Sequence, residues 1–246
     1  MGHAGVSERP AFYALAPGGA RDYVTLLHLP YTLWHLSYVA IGASLVPALE
    51  ARRLLWTLAA FALALGIGAH ALDELRGRPL GTAIASRTLV ALATASIGAA
   101  VAIGVGAAIA WTLWLLPLVA FGAFIVAAYN LELFGGWFHN DAWFAIAWGA
   151  FPLVTAYLAA AEAIRTEALV AGAAAALISA AQRVLSTDVR RLRRQVVAAS
   201  GELELRGGGR IPLTAYTLRA TPERALLLLA AGMSTLGLAL VTARLL

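Results

Sequence analysis

The stretch His70-Ala71-Leu72-Asp73-Glu74-Leu75-Arg76-Gly77-Arg78-Pro79 ends a long apolar run with a sudden cluster of ionisable groups. The run before it, from about residue 54, carries no charge and reads as a membrane-crossing helix. In lipid a charged side chain costs several kcal/mol unless it has a partner or a task. His70, Asp73 and Glu74 stand at i, i+3 and i+4, so they project from one face of the helix end. That phase marks a candidate binding site rather than an incidental loop.

Outward from this point the whole chain has the same character. Apolar residues make up 61% of it and charged residues 13%, with a mean hydropathy of +0.79. These values predict a polytopic membrane protein. Apolar runs near 23–48, 54–73, 86–108, 111–131, 142–161, 167–186 and 225–244 approach or exceed the ~20 residues of a transmembrane helix. The expected fold is therefore an all-α transmembrane bundle of about seven spans. The absence of cysteine excludes disulfides and thiolate metal sites. Residues 1–21 lack a basic segment followed by an apolar one, so a cleaved signal peptide is not expected there.

All 18 basic residues are arginine. With the abundant alanine and glycine, this points to a GC-rich genome, and the inner membrane of a prokaryote is the expected location. The net charge of +5 does not imply nucleic acid as a partner, because cytoplasmic positive charge explains it. With the N-terminus inside, only Arg52, Arg53, Arg165 and Arg244 fall outside, and the remaining 14 arginines fall inside.

In that orientation the connections after the second, fourth and sixth spans share the cytoplasmic face. They carry His70 to Thr82; then Tyr129, Asn130, Glu132, His139 and Asp141; then Gln182, Arg183 and Asp188. The chain divides into a tail (1–21), a helical core (22–188), a basic loop (189–224) and a last helix (225–246). Arg190, Arg191, Arg193 and Arg194 suit either anionic headgroups or a bound phosphate. Residues 201–216 alternate apolar and polar around Gly207-Gly208-Gly209 and read as a β-hairpin or structured loop. Thr221-Pro222 reads as the N-cap and first turn of the last helix.

This layout resembles the UbiA superfamily of intramembrane prenyltransferases. Asp73 matches the central aspartate of that family's first motif, followed by Gly77-Arg78-Pro79-Leu80, which resembles its GRPL-type sequel. Ala69, His70 and Gly77 occupy the other positions of that motif. Asp188 matches the first aspartate of the second motif, with Leu192 in the place of its second. His28 to Trp34 resembles the entry to the first span, and Tyr129 the tyrosine that closes the fourth.

The resemblance implies a cytoplasm-facing central cavity and transfer of an isoprenoid chain from a polyprenyl diphosphate to a lipophilic acceptor. It implies Mg²⁺ held by Asp73, Glu74 and Asp188, a hard cation suited to carboxylate and phosphate oxygens. Arg76, Arg78 and Arg190 would clamp phosphate. Tyr129, Asn130 and His139 would contact the substrates, and His70 or Asp73 would take the acceptor proton. Tyr31, Trp34, Tyr129 and Phe134 are candidate carbocation guards. Two other readings stay open. A site built from His70, Asp73, Glu74, His139 and Asp141 would suit a transition metal, and His28 and His35 share one stripe of the first helix. A non-catalytic lipid-binding membrane subunit is the third. Phe138-His139-Asn140-Asp141 is equally an ordinary helix N-cap.

Overall fold

The computed structural model describes residues 9–246, so the first eight residues of the expected tail lie outside the described residues. Eight helices follow in order: α1 (Ala20–Leu26), α2 (Leu29–Ser44), α3 (Ala51–Leu75), α4 (Ser86–Ala110), α5 (Leu115–Asn130), α6 (Asp141–Ala161), α7 (Thr166–Arg194) and α8 (Ala215–Leu245). A two-stranded antiparallel hairpin, β1 (Glu202–Glu204) and β2 (Arg210–Pro212), joins α7 to α8, with Leu203 opposite Ile211. Among the described residues it is the only sheet.

Five helices, α3, α4, α6, α7 and α8, are long and apolar enough to cross a membrane. The described residues form a helical membrane bundle with five such helices, against the seven apolar runs of the sequence. The apolar run near 23–48 does not form one helix. It divides at His28, whose backbone turns left-handed (φ 46°, ψ 46°), and Pro30 then sits in the first turn of α2, where a missing N–H does no harm. What is left, α2, has 16 residues, as has α5. At 1.5 Å per residue each reaches roughly 24 Å, short of the ~30 Å hydrocarbon layer.

Helix α2 forms the axis of the bundle, with Trp34, Tyr38 and Val39 fully buried. It packs chiefly between α6 and α8. The approach to α6 depends on Gly42: a Cβ there would stand 2.2 Å from the carbonyl oxygen of Leu153. Gly149 plays the same part between α6 and α7, where a Cβ would fall 2.6 Å from the carbonyl oxygen of Ala175. Small residues at such contacts let helices close without a hydrophobic driving force from water. Helices α4 and α5 complete the other side, against α3.

Two helices are not regular. Residues Ala62–Ala69 of α3 and Ile146–Ala150 of α6 are π-helical, and each segment lies at or beside the site described below. The final helix also differs from the sequence reading. It begins at Ala215, capped by Thr214 in a reciprocal box with Thr217, and Pro222 lies inside it. The box satisfies the first N–H groups seven residues earlier than Thr221 would, so that site is no longer a terminus. Helix α7 likewise runs on through Arg194, leaving residues 195–214 as the connection in place of 189–224.

Candidate functional site

The C-termini of α3, α5 and α7 and the N-termini of α2, α6 and α8 meet at one end of the bundle. The chain order sends 14 of the 18 arginines to this end. A cavity of about 160 Å³ opens here. Helix α2 contributes Tyr31 and His35, α3 contributes His70 and Asp73, and α5 contributes Tyr129 and Asn130. His139 follows α5, α6 adds Phe144 and Trp148, and α7 adds Gln182, Arg183, Arg190 and Arg194. Residues Pro10 to Tyr13 lie across it, and His28 completes the wall.

Six of the ten residues singled out from the sequence line this cavity: His70, Asp73, Tyr129, Asn130, His139 and Arg190. The other four do not, and each has a physical reason. Glu74 is fully buried, and its carboxylate accepts from Leu80 N, Thr82 N and Thr82 Oγ1 at 2.8–2.9 Å. It folds the turn after α3 instead of facing an ion. Asp22 completes that turn by accepting from Ala83 N at 2.9 Å. Arg78, itself left-handed (φ 53°), donates to the carbonyls of Thr82 and Ile84 and to Ser86 Oγ, clamping the same turn. Arg76 donates to Leu131 O and pairs with Glu132 at 2.6 Å. That guanidinium holds the Glu132 carboxyl below its usual range. Asp188 is 63% exposed and faces Arg191.

The four histidines of the wall are each fixed by one bond. His70 Nδ1 lies 3.1 Å from Gly66 O, inside the π-helical segment of α3. His35 Nδ1 lies 2.9 Å from Trp148 O, inside the π-helical segment of α6. His139 Nδ1 lies 2.9 Å from Tyr129 O, in the last turn of α5 where carbonyls lack helical partners. His28 Nδ1 instead meets the phenol of Tyr13 at 3.0 Å. The His28 and His70 rings stack with centroids 4.0 Å apart. Burial pushes the Tyr13 phenol well above its ordinary value, so it keeps its proton.

Aromatic rings back the far wall. Tyr129 lies 4.4 Å from both His139 and Trp148 by ring centroids, and Phe144 stacks on Trp148. The Arg183 guanidinium sits over Phe144 at 5.5 Å and pairs with Asp141. Asn140 is the N-cap of α6, accepting from Trp143 N, so the His-Asn-Asp string forms a helix start beside the cavity. Phe134, an expected guard, is 68% exposed and lies outside the lining, as does Trp34, which is buried and donates to Tyr38.

Three buried polar atoms on this wall have no hydrogen-bond partner among the described residues: His28 Nε2, Tyr129 Oη and Gln182 Oε1. Such atoms are costly in a protein interior, at roughly 1–3 kcal/mol each, and all three belong to residues that line this cavity. Asp73 is the one carboxylate among the described lining residues, facing three arginines. No group of three or more His, Asp or Glu among the described residues is placed to hold a metal ion. The Mg²⁺ site built from Asp73, Glu74 and Asp188 therefore does not fit, because two of its three oxygen donors are elsewhere.

A second cavity of about 90 Å³ lies deeper along α3, α5 and α6, bounded also by α4. It is lined almost wholly by apolar side chains, Phe61, Leu65, Val126 and Phe151 nearest the first cavity. The residues nearest each other on the two walls, Leu65 and Ala69 on α3, or Phe151 and Trp148 on α6, stand about one helical turn apart.

Sequence reasoning singled out the acidic and histidine ends of the helices and missed Tyr13 as a wall residue, while Arg194 stood only within a run of four arginines, of which Arg190 and Arg194 reach the wall. The signal for Arg194 was its four-residue spacing from Arg190, which places both on one face of α7 once that helix is known to continue. No protein-family model matches the chain, nor does any curated protein or solved structure.

Proposed function

We propose that the protein is a membrane-embedded transferase of UbiA-like type that takes an isoprenoid chain from a polyprenyl diphosphate. The single observation that carries this reading is a cavity at the end of an apolar bundle that is lined by Arg183, Arg190 and Arg194 and by one carboxylate, Asp73. An arginine excess remains even with Arg183 paired to Asp141. An anionic headgroup suits that balance, since guanidinium pairs with phosphate through two parallel bonds. The adjoining apolar cavity suits the chain of the same molecule.

In this reading the arginines take over the charge that develops on diphosphate as the allylic carbon–oxygen bond breaks. The bonding electrons leave with the diphosphate, the acceptor forms the new bond to carbon, and its proton passes to His70 Nε2 or Asp73. Tyr129, Trp148 and Phe144 face the electron-poor carbon. No step runs through a metal. The arginine asymmetry supports a reading in which the cavity faces the cytoplasm from a prokaryotic inner membrane.

Purified protein in lipid nanodiscs, incubated with radiolabelled farnesyl and geranylgeranyl diphosphates and a lipophilic phenol, tests this. The expected result is saturable binding and release of inorganic diphosphate, both lost in Arg190→Ala. Binding without release would support a lipid-binding subunit instead. No binding at any chain length removes the proposal.

A further inference from the structure

The hydrogen bonds of the cavity divide its histidines into two kinds. A carbonyl oxygen can only accept, so His35, His70 and His139 must each carry their proton on Nδ1 to meet Trp148, Gly66 and Tyr129. Each neutral ring then has its Nε2 as a bare acceptor. His28 has a phenol as partner, which can give a proton as well as take one. The Tyr13 O–H has no other acceptor among the described residues, so the arrangement that satisfies it has Tyr13 donating to His28 Nδ1. The His28 proton then sits on Nε2, and that is the buried atom without a partner.

The geometry points to His28 as an anion-binding residue: its neutral Nε2–H is held out by Tyr13 as a donor to the phosphate group in the arginine-lined cavity. This rests on the reading above that the cavity takes a diphosphate, and it adds a ligand contact that arginine spacing does not reveal. Three further observations agree. His28 lies in the left-handed region, uncommon for a residue other than glycine, at the break between α1 and α2 that turns it to the cavity wall. Its ring stacks on His70 at 4.0 Å and 16°, an arrangement that suits two uncharged imidazoles and disfavours two cations. The phenol that sets its tautomer stays protonated because it is buried.

The consequence is a donor and an acceptor side by side. His28 presents N–H toward the anion, and the stacked His70 presents a lone pair, the state needed to receive an acceptor's proton. Tyr13 acts through His28 and is a positioning residue. It comes from the segment before α1, which is itself tied down by Arg193 and Arg194 donating to the carbonyls of Arg9 and Pro10.

The test uses the full chain with ¹⁵N-labelled histidine in detergent micelles, where nitrogen shifts distinguish the two tautomers, and inorganic diphosphate as the probe. His28, assigned through His28→Phe, is expected in the Nε2–H form while His35, His70 and His139 are in the other. Diphosphate should shift the His28 Nε2 resonance. His28→Phe keeps a ring against His70 and should weaken diphosphate binding about tenfold or more, the loss expected for one hydrogen bond to a charged group. Tyr13→Phe should mix the His28 tautomers and weaken binding less. An Nδ1–H tautomer at His28 overturns the inference. So does unchanged affinity in His28→Phe while Arg190→Ala abolishes binding, which leaves the diphosphate reading standing. Wild-type protein that binds no diphosphate takes both down together.

Discussion

Two cavities lie along the same three helices, and they treat polar atoms in opposite ways. The one at the helix ends gathers three arginines, four histidines and an aspartate, and leaves three buried polar atoms without partners among the described residues. The deeper one is walled by Leu, Val, Ala, Phe and Trp, with a single orphaned hydroxyl, Thr155 Oγ1, among its described residues. An apolar cavity in a membrane protein can stay empty or hold an alkyl chain at little cost. A cavity rimmed with orphaned donors and acceptors is stable only because the fold around it supplies the difference. The contrast teaches what each cavity can hold: the deep one is defined by its shape, the one at the helix ends by its polar groups.

That contrast can be broken first at Glu74. Glu74→Ala leaves the N–H groups of Leu80 and Thr82 buried and unpaired, and should lower stability by about 3 kcal/mol or more, read as a large fall in the thermal unfolding midpoint. If the turn tolerates the change, the polar end is not maintained by internal bonding. Gly42→Ala comes next. Its Cβ meets a backbone carbonyl that cannot move aside, so roughly 1–3 kcal/mol of destabilisation is expected, with α2 and α6 forced apart near both cavities.

Arg190→Ala should leave the unfolding midpoint close to wild type while weakening inorganic diphosphate binding on the order of 100-fold, a loss measured by equilibrium dialysis. Equal losses of stability and binding would mean that the arginine is structural. Thr155→Val removes the orphaned hydroxyl from the deep cavity and should be neutral or stabilising by about 1 kcal/mol. A marked loss instead would show that this hydroxyl has a partner in the working protein. The smallest effect is at Arg76→Ala. Its pair with Glu132 is exposed and is worth under about 1 kcal/mol. Glu132 titrates below its usual range, so this contribution is present above the ordinary carboxylate pKa and fades as pH falls through the lowered value. The mutant and wild type should converge in stability under acid.

Much of this was legible beforehand. Apolar run lengths located most of the helices, and the arginines marked which end was different. His70 and Asp73 were placed on the cavity by helical phase alone. Glu74 was misplaced by the same reasoning, because positions i+3 and i+4 lie 100° apart around the axis and a narrow wall admits only one of them. Asp188 failed for a related reason: it sits two residues from Arg190, on the opposite side of a helix that does not end where expected. The break at His28 and the reach of Tyr13 back over the cavity were not readable. They depend on contacts between segments distant along the chain, and single-sequence periodicity carries no record of those.

The π-helical segment of α3 sets the phase of the helix tip that follows it. Each wide turn spends an extra residue without extra advance along the axis, so the registry of everything beyond Ala69 depends on it. The wide turns take up that residue, so deleting one between Ala62 and Ala69 would let the helix rewind to 3.6 per turn with its tip kept nearly in phase. A deletion in the regular turns before Ala62 has no such slack: it would swivel the tip by about 100°, part His70 from His28 and swing Asp73 off the wall.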